Sequence, residues 1–140
     1  MNPADAMKSG VDILEPLLTH QYGFSYRPIG QGRSSGGDFV SGEFHRGDRR
    51  LELHFRHSLG LVTYHVGASS MSHEDYMWSA IGQRSASSYP GFSDDPLQAF
   101  RDLKSDIRQH GTEFLSGSDD DFLRHVHNAA QLRTGRGQLP

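Results

Sequence analysis

The stretch Ser41–Gly67, SGEFHRGDRRLELHFRHSLGLVTYHVG, decides the fold. Oily and polar residues alternate through three runs: Val40, Gly42 and Phe44, then Leu51, Leu53 and Phe55, then Val62, Tyr64 and Val66. A period of two places each set on one face of a strand. The connections RGDR and SLGL are short and contain glycine, so consecutive strands pair antiparallel. With Gly47 and Asp48 as a two-residue turn, Arg46 faces Arg49, His45 faces Arg50, Glu43 faces Glu52 and Ser41 faces His54. With Leu59 and Gly60 as the next turn, Phe55 faces Tyr64, Leu53 faces Val66, Arg56 faces Thr63 and His54 faces His65. Both registers gather the oily residues on one face, the condition a half-buried sheet imposes.

Working outward, YGFSYRPI (22–29) supplies a strand before this stretch, joined to it by the glycine-rich connection Gly30–Asp38. The chain opens on a helix: Asn2 caps, Pro3 suits the first position, and Met7, Val11, Leu14 and Leu18 share a face. Pro16 predicts a kink, or a helix that starts near Val11. After GASSM the helical period returns. Ser72 caps a helix carrying Met77, Ala80 and Ile81; Asp95, Pro96 and Gln98 open one running through Phe100, Leu103, Ile107 and Phe114; Ser118 and three aspartates open a last helix with Phe122, Val126 and Ala129 inward. The order predicts an α+β fold: a four-stranded antiparallel meander with one N-terminal and three C-terminal helices packed mainly on one face. Residues 1–132 form one domain, and 133–140, with nothing to bury, form a disordered tail.

The 140 residues suit a single core, and 8 Phe, 5 Tyr and 1 Trp argue against disorder. Zero cysteines exclude a disulfide framework, a thiolate nucleophile and cysteine-ligated zinc. The formal charge is −3, and no segment concentrates Lys or Arg as a phosphate-tracking groove requires, so nucleic acid is not an expected partner. No run approaches a membrane span and the first residues lack signal-peptide order, giving the expectation of a cytoplasmic protein without membrane contact. Of the cations only Lys8 and Lys104 are lysine, a skew ascribed to GC-rich bacterial codon usage.

The predicted polar sheet face carries Glu43, Glu52, His54, Arg56, Thr63 and His65. Opposed His54 and His65 with Glu52 would be the weak metal candidate, and one of the histidines with a glutamate the less favoured general acid-base pair. The plainer reading is a solvated face whose arginines neutralise its glutamates. His57 is assigned to the oily face. Tyr89 and Phe92 place two aromatics in the 86–95 loop, either lidding the core edge or anchoring a partner.

Other signals reduce to structure. The glycine-rich Gly30–Gly37 joins strand to strand and lacks the Gly-Lys-Ser/Thr end of a phosphate loop. The RGD at Arg46–Asp48 is what a hairpin turn requires. Ser72–Asp75 reads as a helix start facing solvent, and Asp106 with His110 as a surface pair. Together these give an expected protein-interaction module of the immunity, adaptor or secretion-chaperone kind, binding another protein through the polar sheet face and the 86–95 loop, with no cofactor and no assigned catalytic residue. Its exposed strand edge also admits self-association. The alternative is a small-molecule or metal-binding domain centred on His54, His65 and Glu52.

Overall fold

The computed structural model describes residues 2–82, 89 and 94–135. Five strands form one antiparallel meander in the order β1 (Ser25–Ser34), β2 (Gly37–Arg46), β3 (Arg49–Phe55), β4 (Leu59–Val66) and β5 (Ser69–Ser72). The α+β class and the antiparallel sheet agree with the sequence reading, with one strand more than expected. β5 carries a single apolar residue, Met71, too little for a period-two signal. The Gly67–Ala68 turn, with Gly67 at φ +60, folds it back onto β4 so that Val66 opposes Ser69.

The first hairpin has the expected register throughout, from Arg46 opposite Arg49 to Ser41 opposite His54. The second is slipped by four residues: Tyr64 opposes Leu51, not Phe55, and His65 opposes Arg50, not His54. An even slip keeps every side chain on its face, which is why the oily pattern could not detect it. The turn lies at Arg56–Ser58, and Leu59 is a buried core residue opposite Phe55. A turn at Leu59–Gly60 would have left that leucine in water. His57 is exposed in the turn and its Nε2 donates to the Gly36 carbonyl at 3.0 Å, so its assignment to the oily face is corrected.

β1 and β2 run on through most of the segment expected to be a flexible loop, closing at Ser35–Gly36. Backbone pairing with β2 satisfies this ladder, so the low strand propensity of glycine is overridden. Register shifts between Pro28 and Gly30, where proline has no amide for the ladder. That irregularity lies on β1, an edge strand, where it disfavours strand addition.

One face of the sheet is covered by helices: α1 (Pro3–Glu15) with the π-helical turn Pro16–Gln21, α2 (His73–Ile81), α3 (Gln98–His110), α4 (Thr112–Leu115) and α5 (Asp119–Arg133). Asn2, Ser72 and Ser118 cap as expected, each accepting the amide three residues on, and Ser118 forms a full capping box with Asp121. The first helix starts at Pro3 and runs through Val11, and at Pro16 it passes into the π-helical turn. The missing amide of Pro16 is absorbed by widening the helix to the π form. Asp95 accepts the Leu97 amide at 2.9 Å, so α3 begins at Gln98, and it ends at Gly111, short of the expected Phe114. A Cβ at Gly111 would lie 2.5 Å from the Ile107 carbonyl oxygen. Gly10, which costs helix propensity, is where α1 meets α3: a Cβ there would lie 2.4 Å from the Phe100 ring. Residues 136–140 of the expected tail lie outside the described residues.

The hairpin tip between β2 and β3 is anchored to α4. Arg46 donates to the Leu115 carbonyl at 2.6 Å and lies 4.5 Å above the Phe24 ring. Arg49, buried, donates to the carbonyls of Glu113, Phe114 and Gly117 and pairs with Asp119. Two guanidiniums thus satisfy the carbonyl end of a short helix, so the RGD turn positions structure.

Candidate functional site

The sheet face opposite the helices is a grid of polar side chains. One row across the strands is Ser25, His45, Arg50, His65 and Ser70; the next is Arg27, Glu43, Glu52, Thr63 and Ser72. Glu43 directly opposes Glu52, an arrangement that costs energy unless each carboxylate finds a cation. Each finds its own partners. Arg27 Nε donates to Glu43 Oε1 at 2.6 Å and Arg50 NH1 to Glu43 Oε2 at 3.1 Å, while His65 Nε2 donates to Glu52 Oε1 at 2.8 Å. Burial alone would raise the Glu43 carboxyl, but hydrogen bonds from Arg27 and Arg50, with their charge, outweigh it and hold it below the usual carboxylate range.

The exposures are unequal. The Glu43 side chain is 3% exposed, whereas Arg27 and Arg50 are 55% and 41% exposed. Solvent therefore meets two guanidiniums with their shared carboxylate sunk beneath them. Beside them the His54 ring stacks on Phe39 at 5.4 Å, with Nδ1 sharing a hydrogen bond of 2.8 Å with Ser41 Oγ, and the Arg56 guanidinium lies 5.6 Å from the Phe39 ring. Arg56 pairs with neither glutamate; Arg27, outside the expected set, pairs with Glu43 beside Arg50.

Of the residues expected to form a site, Glu43, Glu52, Thr63 and His65 lie together on the grid, while His54 and Arg56 form a second group around Phe39. The corrected register separates His54 from His65. Among the described residues no group of three or more His, Asp, Glu or Cys is placed to hold a metal ion. Tyr89 is buried, and its hydroxyl donates to the carbonyls of Leu59, at 2.7 Å, and Gly60, so its ring belongs to the core edge. Burial pushes its phenol up to about 12. Phe92 and most of the 86–95 loop lie outside the described residues.

Two residues given surface roles from the sequence are instead interior. His73, the first residue of α2, is buried: its Nε2 donates to Asp106 Oδ2 at 2.9 Å and its Nδ1 accepts from Tyr64 OH at 2.6 Å. Asp106 Oδ2 also accepts the Tyr89 amide at 2.9 Å, so it does not serve His110 as a surface partner. Burial, then Tyr76 and Asp106, raise the Tyr64 phenol well above its ordinary value, keeping it a donor. This chain of groups ties β4, α2, α3 and Tyr89 together and leaves no buried side-chain polar atom unpartnered among the described residues. A cleft of about 310 Å³ lies alongside, lined by Leu59, Val62, His73 and Tyr89 among others. Partners 33 residues apart, such as His73 and Asp106, carry no local sequence signal.

No helix among the described residues is long and apolar enough to cross a membrane. Comparison of the chain with protein-family models, curated proteins and solved structures finds no match.

Proposed function

We propose that this protein is an interaction module that docks an acidic surface of another protein on the open face of its sheet. The observation that carries the reading is the inversion of charge on that face. The chain as a whole is acidic, at −3, yet the face presents Arg27, Arg50 and Arg56 against one exposed carboxylate, Glu52, with Glu43 withdrawn from solvent. Complementary charge of this kind steers encounter and excludes wrong partners more than it adds raw affinity. The arginines are held in place by Glu43 and Phe39, which lowers the side-chain entropy lost on binding. The aromatic shelf of Phe39 and His54 supplies apolar area next to the charges.

The test is affinity capture from the source organism, identification of the retained protein, and titration calorimetry of the purified pair. An acidic partner is expected, bound more weakly as salt rises and at least about tenfold more weakly by Arg27→Glu/Arg50→Glu. A purified pair whose affinity is unchanged by that double substitution would overturn the reading.

A further inference from the structure

On the far side of the molecule, where α2 packs on α5, a serine, a histidine and a glutamate form a connected line at the edge of a cleft. Ser79 Oγ donates to His125 Nδ1 at 2.6 Å, and His125 Nε2 donates to Glu113 Oε1 at 3.1 Å. Asn128 Nδ2 donates to Ser79 Oγ at 2.9 Å. Because Asn128 fills an acceptor position of the hydroxyl, its proton is directed to the imidazole. The cleft measures about 270 Å³ and is lined by Ser79, Glu113, Asp121, Arg124, His125 and Asn128. The placement follows from helical spacing: Asp121, His125 and Asn128 fall on one face of α5, while His127 points away into solvent.

The geometry points to an acyl-ester hydrolase site in which Ser79 is the nucleophile, His125 its general base, Glu113 the group that orients the imidazole, and Asn128 the oxyanion donor. Ser79 Oγ bonds to the ester carbonyl carbon as its proton passes to His125 Nδ1, and the Asn128 amide meets the oxygen that becomes negative. The intermediate collapses with cleavage of the carbon–alkoxide bond, and the alkoxide takes the proton from His125. Water, deprotonated by the same nitrogen, then attacks the acyl-serine, releasing the carboxylic acid and returning the proton to Ser79.

His125 is set by groups from each element around it: Glu113 of α4, Ser79 and the Tyr76 ring of α2 at 4.8 Å, and Asp121 of its own helix. Tyr76 OH in turn donates to the His110 carbonyl at 2.9 Å and reaches Glu113 Oε2 at 3.5 Å, fixing the far side of the orienting carboxylate. The Arg124–Asp121 ion pair on the rim leaves no uncommitted charge for an anionic tail. A cleft of this size, smaller than the sites that enclose drug-sized ligands, fits short, uncharged acyl esters.

The probes are a fluorophosphonate, which phosphonylates activated serines, and p-nitrophenyl acetate. The full chain is expected to be labelled at Ser79, as mapped by peptide mass spectrometry, and to release a burst of about one nitrophenolate per chain. Ser79→Ala removes both signals, and His125→Ala slows acylation about 10²- to 10⁴-fold. Folded wild-type protein that is not labelled at Ser79 overturns the assignment, whatever the variants do. So does ester hydrolysis that persists at the wild-type rate in Ser79→Ala protein of unchanged melting temperature.

Discussion

Replacing Glu43 by glutamine tests whether the sheet face is held together by the carboxylate it conceals. The variant keeps the shape and one carbonyl oxygen but loses the charge shared by Arg27 and Arg50. Two charge-assisted hydrogen bonds contribute about 1.5–3 kcal/mol each against about 1 kcal/mol for neutral ones. Two effects offset part of that loss: the amide escapes the desolvation that burial imposes on the carboxylate, and both arginines, being roughly half-exposed, recover water. The expected net loss is about 1–2 kcal/mol, read at pH 7 as a fall of about 1 M in the urea midpoint for a slope of about 1.5 kcal/mol per M. The pH dependence carries a definite sign. A carboxyl held lower in the folded state than in the unfolded chain stabilises the fold in full above its unfolded value, about 4.3, and loses that contribution as pH falls through its folded value. The gap between wild type and Glu43→Gln is therefore constant from pH 5 to 8 and narrows as the pH falls below about 4. Asp95 and Asp121, also held low by local hydrogen bonds, titrate in both chains and cancel. Equal midpoints at pH 7, or a gap that does not narrow as the pH falls below about 4, would refute the argument.

Gly10→Ala gains about 1 kcal/mol of helix propensity but drives a methyl to 2.4 Å from the Phe100 ring, which is wholly buried and has no solvent to turn into; a net destabilisation of about 1–2 kcal/mol is expected in urea unfolding. Arg49→Leu strands the carbonyls of Glu113, Phe114 and Gly117 and should cost about 3 kcal/mol, seen as a lowered melting temperature. Arg49→Lys should restore only part of it, because one ammonium cannot span the positions a planar guanidinium reaches.

Alternation in Ser41–Gly67 was enough to read the class, the meander and the first hairpin, because a turn of Gly47 and Asp48 leaves one register. The second hairpin offered glycine at position 60 and nothing at 56–58, and the two registers that follow have the same parity. Burial of Leu59 separates them: a leucine at a turn apex forgoes about 2 kcal/mol of transfer energy that the strand position recovers. Counting that side chain as core shifts the partner of His65 by four residues, from His54 to Arg50, and dissolves the histidine pair on hydrophobicity alone. β5 was illegible for a different reason, since four residues with one apolar side chain become a strand only because β4 offers an edge.

Polar residues were legible only where pairing was local. Glu43 opposite Glu52 followed from the turn, and with it the need for cations nearby. Arg27 was not identified as one of them because β1 joins β2 through an irregularity at Pro28 that period-two counting cannot cross. Longer separations hide more: His73 meets Asp106 33 residues on, and Ser79 meets His125 46 residues on. In both cases a histidine at or inside a helix has its sequence neighbours on that helix, whereas its partners come from other elements. A histidine with both ring nitrogens engaged is fixed in position and tautomer, so what its partners are decides its role. His73 also borders a cleft, but it is buried and its partners are a tyrosine and an aspartate; His125 holds the same two-sided geometry at the wall of a cleft, where a serine hydroxyl is the partner that can react.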